Sequence, residues 1–224
     1  MDRVDFLAFS DWHVHEFTFG ANNTTDLFGM RGLNSRLVDA GMQFVEMVTY
    51  AHEHDIQYIL FGGDLYHSKK MISKDALNIV FACFEWAHEN YPDIQFIVTY
   101  GNHDVVDKDG TINSISSLWA LPNVLTFDKT NPVVYLRGQY NVFLHIRGVP
   151  YTENRTELIR AMNDNDPHDL LLGYEPQHGS PPTLIHTVLL IHSGIQGAKV
   201  GTDFVLVKDH DLSVDDIPLS LIHI

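Results

Sequence analysis

The sequence predicts an α/β domain of layered sheets and helices, and two observations carry that prediction. Short apolar runs alternate with amphipathic stretches at helical spacing, the pattern of strands and helices packed in layers. Three of those runs also end in segments rich in ligand-type residues: Asp11-Trp12-His13, Gly63-Asp64-Leu65-Tyr66-His67 and Gly101-Asn102-His103-Asp104. In an open α/β sheet, ligands bind at the ends of the strands, so these segments mark the expected site.

In chain order, Val4 to Phe9 reads as the first strand, followed by a long polar loop from Val14 to Gly32. Asn34-Ser35 reads as a helix start, with apolar Leu37, Met42, Val45, Val48 and Ala51 continuing at helical spacing. Tyr58 to Phe61 is the second strand, Ser73 the cap of a helix running to Asn90, and Ile94 to Val98 the third strand. A shorter helix is expected over Ile112 to Trp119. The middle then turns strand-rich, with Val124 to Phe127, Val133 to Leu136 and Val142 to Ile146 separated by turn residues. Glu153 to Met162 reads as one more helix, Pro176 to Pro182 as a Gly/Pro/Ser-rich loop, and His186 to His192 as a final strand ending in His192-Ser193-Gly194.

Composition bounds the function. The chain has 224 residues, 45% of them hydrophobic, which suits a single globular domain with a real core. No apolar run approaches the roughly 18 residues of a membrane span, and no signal peptide is visible, so a cytoplasmic protein is expected. The single cysteine, Cys83, reads as a small core residue. A net charge of −15 is wrong for a module that holds nucleic acid by counterion release alone. It does not exclude phosphate chemistry, because divalent ions place positive charge where it matters. Fourteen histidines is a high count, and several stand within the motif segments.

Asp11 and His13 are two apart, and side chains two apart on an extended strand point the same way, so both could reach one ion. Asp64 follows a Gly-Gly turn and has enough lone pairs to bridge two cations. Asn102 offers a neutral oxygen ligand, His103 a proton for a leaving oxygen, and Asp104 a carboxylate to orient or acidify His103. His67 and His192 complete the set. Taken singly, each segment also reads as an ordinary turn, and His192 as a core histidine; four strand ends all carrying ligand types argue for a site. Mixed Asp, His and Asn ligands favour a borderline metal such as manganese, iron or zinc over calcium or magnesium alone. Trp12, Trp86 and Trp119 read as core residues, and His15 as a neighbour with a small chance of touching the site.

The order D-x-H, G-D-x-x-H, G-N-H-D and then a lone histidine after an apolar strand resembles the calcineurin-like metallophosphoesterases. Within them, Gly63 to His67 resembles the SbcD-type nucleases of double-strand-break processing, as do Gly148-Val149-Pro150-Tyr151 and Leu190 to Gly194. The protein phosphatases of the superfamily instead carry aspartate and arginine after the corresponding Gly-Asp. The resemblance implies the metallo-dependent phosphatase fold, a layered β-sandwich flanked by helices. It implies that Asp11, His13 and Asp64 hold one ion, that Asp64 bridges to a second held by Asn102 and His192, and that His103, aided by His67, is catalytic. Two divalent ions are expected, manganese first, with iron, zinc and magnesium as alternatives. DNA is the implied substrate, an SbcC-like coiled-coil ATPase the implied partner, and a homodimer is consistent with the family.

One departure stands out. The family's final G-H-x-H motif, which supplies a ligand to each ion, does not appear after His192, although Asp215 to Ser220 resembles its lead-in. The expectation is a phosphoesterase domain over residues 1–220, incomplete at its C-terminal end, with residues 221–224 foreign to it. Two alternatives to a DNA nuclease stay open: a phosphoesterase acting on small nucleotides or phosphoproteins, and a fragment that binds metal without turnover.

Overall fold

The structure, a computed structural model, describes residues 4–22, 25–107, 110–127, 133–137, 142–163, 183–195, 199–200, 204–205, 212–213, 216 and 221–223. Along the chain come β1 (Phe6–Phe9), β2 (Thr25–Leu27), β3 (Met30–Leu33), α1 (Ser35–Glu53), β4 (Tyr58–Phe61), α2 (Lys74–Asn90) and β5 (Gln95–Val98). A 3-10 turn follows at Ile115–Ala120, then β6 (Val124–Thr126), β7 (Val133–Arg137), β8 (Val142–Val149) and α3 (Arg155–Asn163). The last elements are β9 (Thr183–Ile191), β10 (Lys199–Val200), β11 (Phe204–Val205) and β12 (Leu221–His223).

Two four-stranded sheets organise these elements. The first runs β1-β4-β5-β6, parallel throughout, and the second β12-β9-β8-β7, parallel except for β7 against β8. Period-two alternation on β4 and β5 explains the layering. Ile59, Phe61, Phe96 and Val98 face α1 and α2, whereas Leu60 and Ile97 face the second sheet and pack with Leu136, Leu144, Ile146, Val188 and Leu190. α3 covers the outer face of the second sheet through Leu158 and Met162 against Val149 and Leu189. The expected α/β sandwich flanked by helices is therefore the observed one.

The two long helices begin where side-chain oxygens cap them. Asn34 Oδ1 accepts from the Arg36 N–H at 2.8 Å, and Ser73 Oγ from the Ala76 N–H at 3.1 Å. Each buries one stripe, Leu37, Val38, Gly41, Phe44, Val48 and Ala51 in α1, and Ala76, Ile79, Val80, Cys83, Phe84 and Ala87 in α2. Cys83 is thus core, as expected, and its thiol is pushed far up by burial. Among the described residues no helix is long and apolar enough to cross a membrane.

Several expectations need correction. The loop after His13 contains a hairpin, β2–β3, turning at Phe28-Gly29 with both residues at positive φ. Such a turn matches strand twist, but Phe-Gly lacks the Asn-Gly signature that would have flagged it. The helix expected over Ile112 to Trp119 is only the 3-10 turn at Ile115–Ala120, and before it the Asn113 side chain accepts from the Ser116 N–H. Trp119 is exposed, not core, whereas Trp12 stacks on Phe44 with centroids 5.1 Å apart. The loop expected at Pro176 to Pro182 lies outside the described residues. At the far end, β12 pairs in parallel with β9, Leu221 opposite Thr187.

His145 on β8 is fully buried, and burial together with the Arg147 cation pushes its imidazole down to about 4. In the unfolded chain the ring titrates near 6.5, so between these values the unfolded state binds a proton that the folded state refuses. Stability is therefore expected to fall as pH drops from 6.5 towards 4, by up to about 3 kcal/mol from this residue. Urea unfolding at several pH values should show that loss in the wild type and a flatter profile in His145→Gln. Equal slopes would remove His145 as the cause.

Candidate metal centre

The site forms where β1, β4, β5 and β9 end. Beyond Phe9 and Phe61 the two chains remain paired, but irregularly: Gly62 N–H donates to Phe9 O at 2.8 Å, Asp11 N–H to Gly63 O at 2.9 Å, His13 N–H to Asp64 O at 3.0 Å and Val14 N–H to Leu65 O at 3.0 Å. Asp11, His13 and Asp64 all sit in the left-handed region, at φ 56°, 48° and 60°. Asp11 and His13 converge through these turns, not through the strand alternation expected from their spacing. Holding residues there costs about 1–3 kcal/mol each, and such outliers cluster at functional sites.

Two glycines permit the close approach. Gly63 is at φ 104°, and a Cβ on it would stand 2.5 Å from the Gly101 nitrogen. A Cβ on Gly101 would in turn press into the Asp64 backbone nitrogen at 2.7 Å and His192 Nδ1 at 2.8 Å. The turn after β5 is therefore seated directly on the turn after β4.

Asp64 is the centre of the arrangement and only 3% exposed. Its Oδ1 accepts from the His103 backbone N–H at 2.8 Å. Its Oδ2 faces outward between two imidazoles, 3.6 Å from His13 Nε2 and 3.5 Å from His192 Nε2. His13 Nε2 is also 3.7 Å from Asp11 Oδ1, and the other Asp11 oxygen is held by the Ser10 hydroxyl. His192 Nε2 lies 3.1 Å from Asn102 Oδ1. The sequence-predicted ligands Asp11, His13, Asp64, Asn102 and His192 thus stand together, with one Asp64 oxygen turned to both sides.

The donor chemistry fits cations. His192 Nδ1 lies 2.9 Å from Gly62 O, and a carbonyl can only accept, so Nδ1 carries the proton. In the neutral ring Nε2 then presents a lone pair to two further acceptors, Asn102 Oδ1 and Asp64 Oδ2. Lone pairs aimed at one another repel, and a cation placed among them removes the repulsion. Ligand atoms of Asp11, Asp64 and His192 all lie within 4.8 Å of one another, as do those of His13, His67 and His103. Divalent ions of the borderline kind suit such mixed carboxylate and imidazole donors.

His103 and His67 meet on the far side of His13. The ring centroids are 5.0 Å apart for His13–His103 and 5.5 Å for His13–His67. His103 Nδ1 donates to His67 O at 2.5 Å, which leaves Nε2 as the nitrogen free for chemistry. Partial desolvation, then the neighbouring His13, His15 and His103, hold His67 below the ordinary imidazole value, against the pull of Asp64.

Asp104 has a different place from the one expected. It does not orient His103, whose ring is tied to the His67 carbonyl. Its carboxylate is 1% exposed and accepts from Asp64 N–H at 2.7 Å, Leu65 N–H at 2.9 Å, Gly101 N–H at 2.9 Å and Ser114 Oγ at 3.0 Å. Burial pushes it above the usual carboxylate range, the Gly101, Ser114 and Leu65 hydrogen bonds pull it back, and the Asp64 charge adds to the rise. Asp104 is the clasp between the β4 and β5 turns.

The sequence reading did not single out Phe17, and it gave His15 only a small chance. Both rings pack on His67, at 5.1 and 5.2 Å. The available signal was the alternation His13, His15, Phe17, Phe19 directly after the first motif.

The model of the calcineurin-like phosphoesterase family matches residues 4–214. No curated protein matches the chain.

Proposed function

The chain belongs to the calcineurin-like phosphoesterase family, metal-dependent hydrolases that bind two divalent ions, and on that premise we propose that it cleaves phosphodiester bonds in DNA, in the manner of the SbcD-type nucleases. The observation that carries this reading is the imidazole pair His67 and His103 beside the Asp64 carboxylate, grouped with His13 within 4.8 Å. Breaking a P–O bond of a phosphodiester expels an alkoxide that needs a proton, and a histidine pair can hold and deliver one. The aspartate and arginine that the resemblance to the superfamily's protein phosphatases would require after Gly63-Asp64 are absent from Leu65-Tyr66-His67.

The proposed ligands are Asp11, His13 and Asp64 for one ion, and Asp64, Asn102 and His192 for the other, with manganese as the proposed metal. These residues would hold ions whose chemistry would be Lewis-acid polarisation of the phosphoryl group and a lowered pKa for water. The protein's own contribution is orientation and proton transfer. The His103 N–H fixes Asp64 Oδ1 so that Oδ2 stays turned to both imidazoles. The Gly62 carbonyl fixes the His192 ring in the same way. With Nδ1 committed to the His67 carbonyl, His103 presents Nε2 to the leaving oxygen. His67 packs edge-on to His13 and completes the wall of the site.

The test compares linear DNA, bis-p-nitrophenyl phosphate and cyclic nucleotides as substrates for the chain in Mn²⁺. DNA cleavage that falls by about 10²-fold or more in His103→Ala, the range for a lost general acid, is the expected result. Hydrolysis of the small substrates alone would replace the DNA reading with a nucleotide phosphoesterase. Undiminished cleavage by His103→Ala would remove His103 from the chemistry.

A further inference from the structure

The loop after His13 carries an aromatic surface that the hydrolytic reading does not use. His15, Phe17 and His67 form a closed triangle of rings, with centroids 5.0 Å apart for His15–Phe17, 5.2 Å for His15–His67 and 5.1 Å for Phe17–His67. Phe17 is nevertheless 42% exposed and Phe19 91% exposed. The exposure is built in, because the loop's backbone is tied down behind the rings. Asn34, the buried cap of α1, donates from Nδ2 to Phe17 O at 3.1 Å, and the Arg36 guanidinium donates to Phe19 O at 3.4 Å. Through His67 the rings run on to His13 at 5.5 Å and His103 at 5.8 Å. An exposed, anchored aromatic face therefore begins one ring away from the proposed proton donor.

We propose that Phe17, backed by His15 and His67, is the platform on which an unstacked nucleobase next to the scissile phosphate lies, making a single-stranded DNA end the preferred substrate. The proposal rests on the DNA reading of the same site. It also suits the charge of the chain. With 29 acidic and 14 basic residues the protein gains little from counterion release, so a neutral contact that every base can make adds a hold on the strand that surface charge does not supply. Phe17 acts here as a positioning residue and takes no part in proton transfer.

The probe is a ten-residue single-stranded oligothymidylate, compared with the same oligomer carrying tetrahydrofuran abasic residues at both ends. Binding to the full chain is measured in Ca²⁺, with cleavage in Mn²⁺ measured in parallel. The wild type is expected to bind the base-bearing oligomer about 5- to 150-fold more tightly, the range for one lost stacking contact. Phe17→Ala should close that gap and Phe17→Trp should restore it. The fold should survive both changes, since the carbonyl of residue 17, and not its ring, carries the tie to Asn34. A gap unchanged in Phe17→Ala, or absent in the wild type, overturns the platform even if DNA is cleaved. A Phe17-dependent gap without cleavage keeps the platform and overturns the nuclease reading. Neither gap nor cleavage overturns both.

Discussion

Asp64→Asn is expected to lower hydrolysis of bis-p-nitrophenyl phosphate by at least about 10³-fold, equivalent to roughly 4 kcal/mol of barrier. The argument is local. Asp64 Oδ2 is the one oxygen turned to both His13 and His192, so its charge serves both halves of the centre. Asparagine keeps the shape, keeps an oxygen for the His103 N–H, and accepts the left-handed backbone at φ 60° that alanine would resist. The variant thus isolates charge from fold. It also removes one negative charge from beside Asp11 and Asp104, so the metal-free variant should melt no lower than the wild type. Thermal melts with and without Mn²⁺ give a second readout. Metal at about 100 times its dissociation constant stabilises the folded state by roughly 2.7 kcal/mol, and that gain should shrink sharply in Asp64→Asn. Wild-type turnover with an undiminished metal-induced shift would remove Asp64 from the centre.

The frame and the cluster of ligand-type residues were legible in the sequence for different physical reasons. β4 and the caps at Asn34 and Ser73 follow from local rules, apolar runs and side-chain oxygens, that tertiary contacts do not override here. The proposed ligands stand in the sequence as ligand-type residues at strand ends, but the means of their convergence does not. Left-handed φ at Asp11 and His13 comes from hydrogen bonds to Gly63 O and Asp64 O, more than fifty residues away in the chain. The β2–β3 hairpin hid behind a Phe-Gly turn, and the Phe17 platform behind a loop whose anchors are Asn34, the cap of the next helix, and Arg36 in its first turn. Asp104 shows the limit most clearly. Its adjacency to His103 in sequence suggested a catalytic pair, yet in an Asn-His-Asp turn neighbouring side chains diverge, and this one turns inward to the backbone of the preceding motif.

That inward turn makes Asp104→Asn the variant that separates the two roles. The carboxylate accepts from four donors, Asp64 N–H and Gly101 N–H on Oδ2, and Leu65 N–H and Ser114 Oγ on Oδ1. An amide offers only one acceptor oxygen, and its NH₂ group would face two donors in a site that water does not reach. Each buried donor left unsatisfied costs about 1–3 kcal/mol, so a loss on the order of 3 kcal/mol is expected. That is a large share of the roughly 5–15 kcal/mol by which a domain is stable, and it corresponds to a fall of about 6–12 °C in Tm for a chain of this size. Ser114→Ala should cost less, because removing one hydroxyl leaves the other three donors satisfied. Turnover should fall with Asp104→Asn as the Asp64 and Gly101 turns lose their common tie, but the pH dependence of the remaining activity should keep its shape. A carboxylate that acidified His103 would behave in the opposite way, with stability preserved and the pH profile displaced. Urea unfolding and a pH–rate profile on the same preparation decide between them, and a fully stable Asp104→Asn protein with a shifted profile would return Asp104 to the chemistry.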